Sequence, residues 1–168
     1  VYVDFEEPIS LRVFAATRQA VYESLDGGES WLERFRLPAG TTAPALATNG
    51  AHDPTLLLGT DQGLWAAFDG GRQWTSSFSG SAQGQNDCTH VSFHPGRPDT
   101  AFLGTRHGLL VSRDGGHAWQ AAGLPEAARR IIGVAADWHQ PDRLFVTADS
   151  GLYVGSLERG EWQRRLIN

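Results

Sequence analysis

The sequence has little with which to cross-link itself, anchor in a bilayer or bind nucleic acid. Its single cysteine, Cys88, cannot form an intrachain disulfide bond. No apolar run approaches the roughly 20 residues of a membrane span. Lys and Arg number 14 against 19 Asp and Glu, and the resulting net charge of −5 argues against general binding to nucleic acid or acidic membranes.

Methionine is absent as well, and the chain opens with VYVDFEEP, which is neither a start nor a positively charged, apolar signal segment. We therefore expect a mature or trimmed product whose targeting information lies outside this sequence. With 168 residues, 40% of them hydrophobic and 20% charged, the chain is long enough for one domain with a sizeable core.

What the sequence does contain is a repeat. Four segments end in tryptophans spaced by 43, 45 and 43 residues: VYESLDGGESW, LWAAFDGGRQW, LLVSRDGGHAW and LYVGSLERGEW. Each unit reads as four short strands, A to D, joined by hairpin turns. This period predicts an all-β protein, a β-propeller of four-stranded antiparallel blades, at approximately residues 1–38, 39–80, 88–124 and 130–168. The nearly all-apolar B strands (VFAA, LLLG, AFLG and LFVT) predict burial on both faces.

The segments that end in tryptophan resemble the Asp-box, or BNR repeat, with the pattern SxDxGxxW. Two copies are complete, the second in chain order has Ala67 in place of Ser, and the fourth is degenerate and one residue short. The residues concerned are Ser24, Asp26, Gly28 and Trp31; Asp69, Gly71 and Trp74; Ser112, Asp114, Gly116 and Trp119; Ser156, Glu158, Gly160 and Trp162.

Elementary chemistry favours a structural role for these boxes. An Asp in a turn accepts hydrogen bonds from nearby backbone N–H groups, Gly permits positive φ, and Trp buries a large apolar surface. A catalytic acid should be unique, whereas these acids recur. We therefore expect the boxes to close the C–D hairpins and not to carry chemistry.

The resemblance implies that a site lies on the face formed by the B–C turns and D–A loops, away from the boxes. The alternative is that the charged tips are only solvated. Loop residues often carry binding. The candidate binding residues at the B–C tips are Arg18, Gln19, Asp61, Gln62, Arg106, His107 and Asp149.

Members of the Asp-box family include glycan hydrolases, peptide-binding receptors and a photosystem II assembly factor. The leading hypothesis is a non-catalytic binding or assembly module for a protein or peptide partner, without cofactor or metal. The alternative is a glycoside hydrolase or a fragment of one, acting on glycans through carboxylates such as Asp61, Asp137 and Asp149. The FRLP segment at 35–38 resembles a sialidase motif but follows a box instead of preceding one, which argues for coincidence.

The number of repeats raises the question of ring closure. Four whole blades leave no strand over, and Asp-box rings are usually larger, so the resemblance predicts self-association or additional blades. The compartment is not determined by the residues, and the resemblance favours a location outside the cytoplasm.

Overall fold

The structure, a computed structural model, describes residues 2–3, 11–43, 45–80, 86–137 and 139–165. Within them the chain forms a succession of short strands connected by turns. The strands are β1 (Tyr2–Val3), β2 (Val13–Ala16), β3 (Ala20–Ser24), β4 (Leu32–Arg36), β5 (Ala45–Thr48), β6 (Leu56–Thr60), β7 (Gly63–Ala67), β8 (Thr75–Phe78), β9 (Cys88–His94), β10 (Arg97–Thr105), β11 (Gly108–Ser112), β12 (Gln120–Ala121), β13 (Ile131–Ala136), β14 (Arg143–Ala148), β15 (Gly151–Ser156) and β16 (Glu161–Arg165).

The strands form four separate sheets, each made of four consecutive strands in antiparallel order. They are β1–β4, β5–β8, β9–β12 and β13–β16. The sequence prediction of an all-β chain with four four-stranded antiparallel blades is therefore confirmed. Among the described residues there is no helix of the length and hydrophobicity needed to cross a bilayer.

The hydrophobic core lies between consecutive blades. One cluster joins the third and fourth blades around Phe102 and Ile131, a second joins the second and third around Leu57 and Leu103, and two smaller clusters join the first and second. Strand contacts also run between consecutive blades, with β5 against β9 and β9 against β13. The blades therefore follow one another face to face.

The B strands show which blades are covered on both sides. Every residue of β6 is buried, as the sequence predicts for a B strand. In β14, however, Leu144, Val146 and Ala148 are buried while the residues between them are exposed or half-buried. The prediction of two buried faces is thus wrong for the last blade, because a neighbouring blade covers only one side of it.

Polar groups also join the blades. The buried carboxylate of Glu23 accepts hydrogen bonds from Arg12 and Arg34, and Arg12 reaches across to backbone carbonyls of the second blade at His52 and Gly70. Between the third and fourth blades, His94 Nδ1 accepts from the Gly96 N–H (3.0 Å) while its Nε2 lies 2.7 Å from the Pro141 carbonyl. These two contacts assign a neutral imidazole with the proton on Nε2.

Candidate functional site

The C–D turns are the most regular feature of the surface. In the first and third turns an aspartate oxygen accepts a backbone N–H four residues ahead, at 2.9 Å from Ser30 to Asp26 and 2.9 Å from Ala118 to Asp114. Asp69 accepts the equivalent bond from Gln73 at 2.9 Å. The aspartate side chain therefore closes the turn in each of these three blades.

Serine adds a second closure where it is present. Ser112 Oγ donates to Asp114 at 2.7 Å and accepts the Gly116 N–H at 2.8 Å. Gly116 has a φ of +103°, and a Cβ at this position would lie 2.8 Å from a Leu57 methyl of the neighbouring blade. Both the backbone angle and the close approach therefore require glycine at this position.

The hydrogen bonds explain the electrostatics of these acids. The Ala118 N–H and the Ser112 hydroxyl hold the pKa of Asp114 below its usual range. At Asp26 the Ser30 hydroxyl and backbone N–H lower the pKa further. Carboxyls of this kind stay ionised at neutral pH and are unsuited to donate a proton, which a general acid must do.

The fourth turn differs in the origin of its acid. Asp142, at the A–B turn of the same blade, accepts the Ser156 hydroxyl and, at 2.7 Å, the Glu158 N–H. The Glu158 carboxylate instead faces Arg97 of the third blade at 3.3 Å. Burial raises the pKa of Asp142, but the Ser156 hydroxyl, the Glu158 N–H and nearby arginines outweigh it, so the net shift is downward. Asp142 thus accepts the turn-closing bonds that the alignment of the four repeats assigned to Glu158.

We expect alanine at Asp114 or at Asp142 to lower the free energy of unfolding by about 1–2 kcal/mol, the scale of lost side-chain to backbone turn bonds. Alanine at Glu158 should change it by less than about 0.5 kcal/mol, because that carboxylate makes only an exposed ion pair. Urea unfolding of the three variants measures the differences. A larger loss for Glu158→Ala than for Asp142→Ala would contradict the assignment.

The tryptophans that end the turns connect neighbouring blades. Each indole N–H of the first three turns donates to the carbonyl of a turn glycine, for example Trp74 to Gly71 at 3.1 Å. Beyond this, the Trp74 ring stacks on Phe35 of the preceding blade with 5.1 Å between centroids. The tryptophans therefore stabilise their own C–D hairpins, and Trp74 also stabilises the junction with the preceding blade.

The opposite edge of the blades carries the predicted candidate residues. Arg18 and Gln19 lie between β2 and β3, Asp61 and Gln62 between β6 and β7, and Arg106 and His107 between β10 and β11. Asp149 lies between β14 and β15. All therefore occupy B–C turns, at the end of the sheets opposite the C–D turns. We call the edge formed by these turns and the D–A loops the loop face.

Two of the charged tips are engaged by neighbouring loops. Asp61 accepts the Thr42 N–H at 3.0 Å and the Thr42 hydroxyl at 2.8 Å. Arg106 forms an ion pair with Asp87. These contacts join the two tips to Thr42 and Asp87, so Asp61 and Arg106 also have a structural part. The side chains of Arg18 and His107 are exposed.

A threonine at the base of three tips was missed by the sequence reasoning. Thr60 Oγ1 donates to the Gly63 carbonyl at 2.6 Å and accepts the Gln62 N–H at 3.1 Å, and Thr105 makes the same pair of bonds in the third blade. Thr17 does so in the first. In the sequence a Thr directly precedes each of these three tips, in ATRQ, GTDQ and GTRH, and this recurrence could have indicated the bonds. These bonds hold the tips in one conformation.

A cavity of about 340 Å³ opens beside the tip of the third blade. Its walls come from the B–C turn and from the D–A loop that leads to the fourth blade. The loop itself is compact, since the Ala128 N–H donates to the Pro125 carbonyl at 2.8 Å. The lining includes His107, Leu109, Leu124, Pro125, Glu126 and Arg129.

Two further candidate reactive groups, Cys88 and His90, are buried and half-buried, respectively. Burial raises the pKa of the Cys88 thiol to about 12, which keeps it protonated and a poor nucleophile. Burial also lowers the pKa of His90. Across the described ranges, no group of three or more His, Cys, Asp or Glu side chains is placed to hold a metal ion. Trp138, a tryptophan that belongs to none of the four boxes, lies outside the described residues.

The carboxylates that the hydrolase hypothesis requires do not converge. Asp137 lies in the A–B turn between β13 and β14, at the end of the sheet opposite Asp61 and Asp149. The N–H groups of His139 and Gln140 lower its pKa. Arg36 of the FRLP segment pairs with Glu33 on the same strand at 2.8 Å, and Phe35 lies against Trp65 and Trp74.

Comparison with solved structures identifies the architecture. A GH74 enzyme from Niastella koreensis superposes with a TM-score of 0.71 at 21% identity, over 91% of this chain and 27% of that one. A structure described as YCF48 bound to D1 peptide gives 0.64 at 15% identity, over 90% and 50%. A chain of a nidogen/laminin complex gives 0.65 at 12%, over 91% and 60%. The fold is that of a β-propeller.

The propeller fold is what these likenesses show, because the identities are low. The chain spans about a quarter of the GH74 enzyme and half of the YCF48 structure. No protein-family model matches the chain, and no curated protein sequence matches it significantly.

Proposed function

We propose that the chain is a non-catalytic binding module of the Asp-box type, which recognises a protein or peptide segment through its loop face. The observation that carries this proposal is the cavity of about 340 Å³ beside His107. It is concave, Thr105 holds the adjacent tip, and its lining combines apolar side chains with polar and charged ones. Pockets of this composition suit a ligand that buries an apolar group and fixes its orientation by a few polar contacts.

The chemistry of the lining favours a peptide segment. Leu109, Leu124 and Pro125 offer apolar contact, while His107 and the Arg129 guanidinium stand beside them. Arg129 also holds the ion pair with Glu126 at 2.6 Å, which keeps one carboxylate next to the cation. An extended segment with an apolar side chain and an acidic neighbour would compete for that arginine. The likeness to the YCF48 structure, which holds a D1 peptide, supports this class of ligand by analogy.

The Asp-box identity rests on the turns themselves. Aspartates in three turns accept backbone N–H groups ahead of them, and the tryptophans close the same turns. These bonds support a fastening role for the box residues, and the strand order sets the C–D turns at the edge opposite the loop face. We place binding at the B–C tips, where Arg18 and His107 are among the exposed residues.

A glycoside hydrolase is the second candidate, because GH74 enzymes are among the structural neighbours. Such an enzyme needs two carboxyl groups at a set separation. On the loop face, Asp61 is bonded to Thr42 and Asp87 to Arg106, which leaves Asp149 as the remaining acid among the B–C candidates. A catalytic pair would therefore need an acid from further blades, and the chain by itself is better suited to binding.

Three further properties belong to this proposal. The partner is a protein or peptide and not nucleic acid, in line with the net charge of −5. The ring is completed by self-association or by additional blades. A location outside the cytoplasm follows from the family resemblance.

The test separates the two candidate functions. An array of overlapping peptides, a panel of fluorogenic glycosides and the polysaccharide xyloglucan are each offered to the purified chain. We expect saturable binding to a subset of peptides that share an apolar and an acidic residue, and no release of fluorophore or reducing sugar. Hydrolysis of a glycoside or of xyloglucan in the absence of peptide binding would contradict the proposal.

A further inference from the structure

The same contact is made at each of the three junctions between blades. The tryptophan that ends a C–D turn lies against the outermost strand of the preceding blade. Trp74 stacks on Phe35, the Trp119 indole N–H donates to Ser77 Oγ at 3.0 Å, and the Trp162 indole N–H donates to the Ala122 carbonyl at 3.0 Å. The face that carries the tryptophan is thus built to receive the outer strand of another blade.

The first blade has the same face, and within the part of the chain that the structure describes no outer strand of another blade covers it. Trp31 occupies the same position in its turn and is 44% exposed. Among the described residues five large hydrophobic side chains are exposed, and four of them belong to the first blade: Leu11, Leu25, Trp31 and Leu32. A concentration of exposed apolar side chains at one end of a molecule marks an interface.

The face of the fourth blade that points away from the third carries residues equivalent to those that meet a C–D turn at the first junction. We call it the far face of the fourth blade. At the first junction the Arg12 guanidinium lies over the Phe14 ring, 4.9 Å from its centroid, and donates to the carbonyl of Gly70 in the next C–D turn at 3.0 Å. Arg143 and Phe145 hold the same two positions at the start of β14, with the guanidinium 5.0 Å from the ring centroid. Arg143 also lies 3.6 Å from the Asp137 carboxylate.

A cavity of about 530 Å³ lies on that face of the fourth blade. Its walls include Arg143, Val154, Gln163 and Arg165. At the first two internal junctions the corresponding space is filled by the next C–D turn, whose glycine reaches the facing side chain: Cβ positions built on Gly71 and Gly116 would lie 3.5 Å from Phe14 and 2.8 Å from Leu57. The position and lining of the cavity therefore match those of the space that a C–D turn fills at an internal junction.

We propose that a second copy of this chain docks head to tail, with its first C–D turn in the cavity of the fourth blade. Gly28 of one copy then meets Phe145 of the other, and Arg143 donates to the Gly27 carbonyl, as Arg12 does to Gly70. Arg165 is three residues after Trp162, as Ser77 and Ala122 are three residues after their tryptophans. It therefore covers Trp31 and makes a cation–π contact with it.

Two copies joined in this way form a closed ring of eight blades. Head-to-tail contacts produce a ring when the rotation closes, and eight blades lie within the range of about four to eight that propellers use. Each chain supplies one apolar tryptophan face and one arginine-lined cavity, so a copy of the same chain satisfies both open ends at once. The proposal does not depend on peptide binding at the loop face.

Light scattering on the purified chain tests the association. We expect a particle of twice the 18.3 kDa chain mass at micromolar concentration. Trp31→Glu, Arg143→Glu and the exposed Arg165→Glu should each raise the dissociation constant at least about tenfold. Ser76→Glu, on an exposed position of the second blade, is the matched control and should remain dimeric. Circular dichroism establishes that each variant is folded.

Mixing the variants distinguishes the head-to-tail arrangement from others. Trp31→Glu keeps an intact fourth blade and Arg143→Glu an intact first blade, so an equimolar mixture should recover a dimer through the one unaltered junction. A monomeric wild-type chain would overturn the proposal and point to blades from a longer polypeptide. Retained dimerisation of both Arg143→Glu and Arg165→Glu, with loss for Trp31→Glu, would also overturn it and indicate first blades in contact with each other.

Discussion

Replacement of Glu23 by alanine is expected to lower the free energy of unfolding by about 3–5 kcal/mol, the scale of a buried ion pair that loses one member. The Glu23 side chain is 1% exposed, and it holds both Arg12 and Arg34. Without the carboxylate, two guanidinium groups remain close together at a partly buried position. Arg12 also loses the support that directs it to the carbonyls of the second blade.

The matched control lies in the same blade. Glu33 pairs with Arg36 at 2.8 Å, but both side chains are solvent-accessible. Glu33→Ala should therefore change the free energy of unfolding by less than about 0.5 kcal/mol. Urea unfolding at neutral pH compares the two variants, and equal effects would show that the Glu23 network does not stabilise the first junction.

Phe14→Ala is expected to cost about 3–5 kcal/mol of unfolding free energy, as for other fully buried phenylalanines. The Phe14 ring is 1% exposed because the second blade covers it, with Leu56 and Ala67 in the same cluster. Phe145 has the same position in the fourth blade but is only half-buried. Phe145→Ala should cost roughly 1 kcal/mol, since less apolar surface is lost.

Both phenylalanine variants are best measured in the Trp31→Glu background, at a protein concentration low enough that light scattering shows a monomer. Thermal or urea unfolding then reports each blade face without a contribution from association. Equal losses for Phe14→Ala and Phe145→Ala would mean that the far face of the fourth blade is covered within one chain. That result would contradict the open-ended arrangement of the four blades.

The repeat made the architecture predictable from the sequence. Four tryptophans at spacings near 44 residues and four short strands per unit led to four antiparallel sheets, because each hairpin is specified by local turn residues. Burial of strand B on both faces also followed, as β6 shows. The same prediction was wrong for β14, because burial of a strand depends on whether a neighbouring blade is present and not on the strand's own residues.

The polar contacts were less accessible to sequence reasoning. Asp142 lies 14 residues before Ser156, so only the pairing of β14 with β15, which sets Arg143 opposite Ser156, brings it to the fourth turn. Glu23 meets Arg12 and Arg34 across two strand pairs, each 11 residues away, and a glutamate in a strand gives no sign of such burial. The candidate tips were located correctly on B–C turns, but the bonds of Asp61 and Arg106 to D–A loops depend on loop conformation.

Calorimetric titration of a peptide selected from the array against two double variants tests the binding account most directly. Arg18→Glu/His107→Glu alters exposed tips of the loop face, whereas His52→Glu/His139→Glu introduces the same number of glutamates at exposed A–B turns on the opposite edge. We predict at least a roughly tenfold weaker affinity for the first variant and a change within about twofold for the second. Weaker binding by the His52→Glu/His139→Glu variant, with the loop-face variant unaffected, would contradict the account.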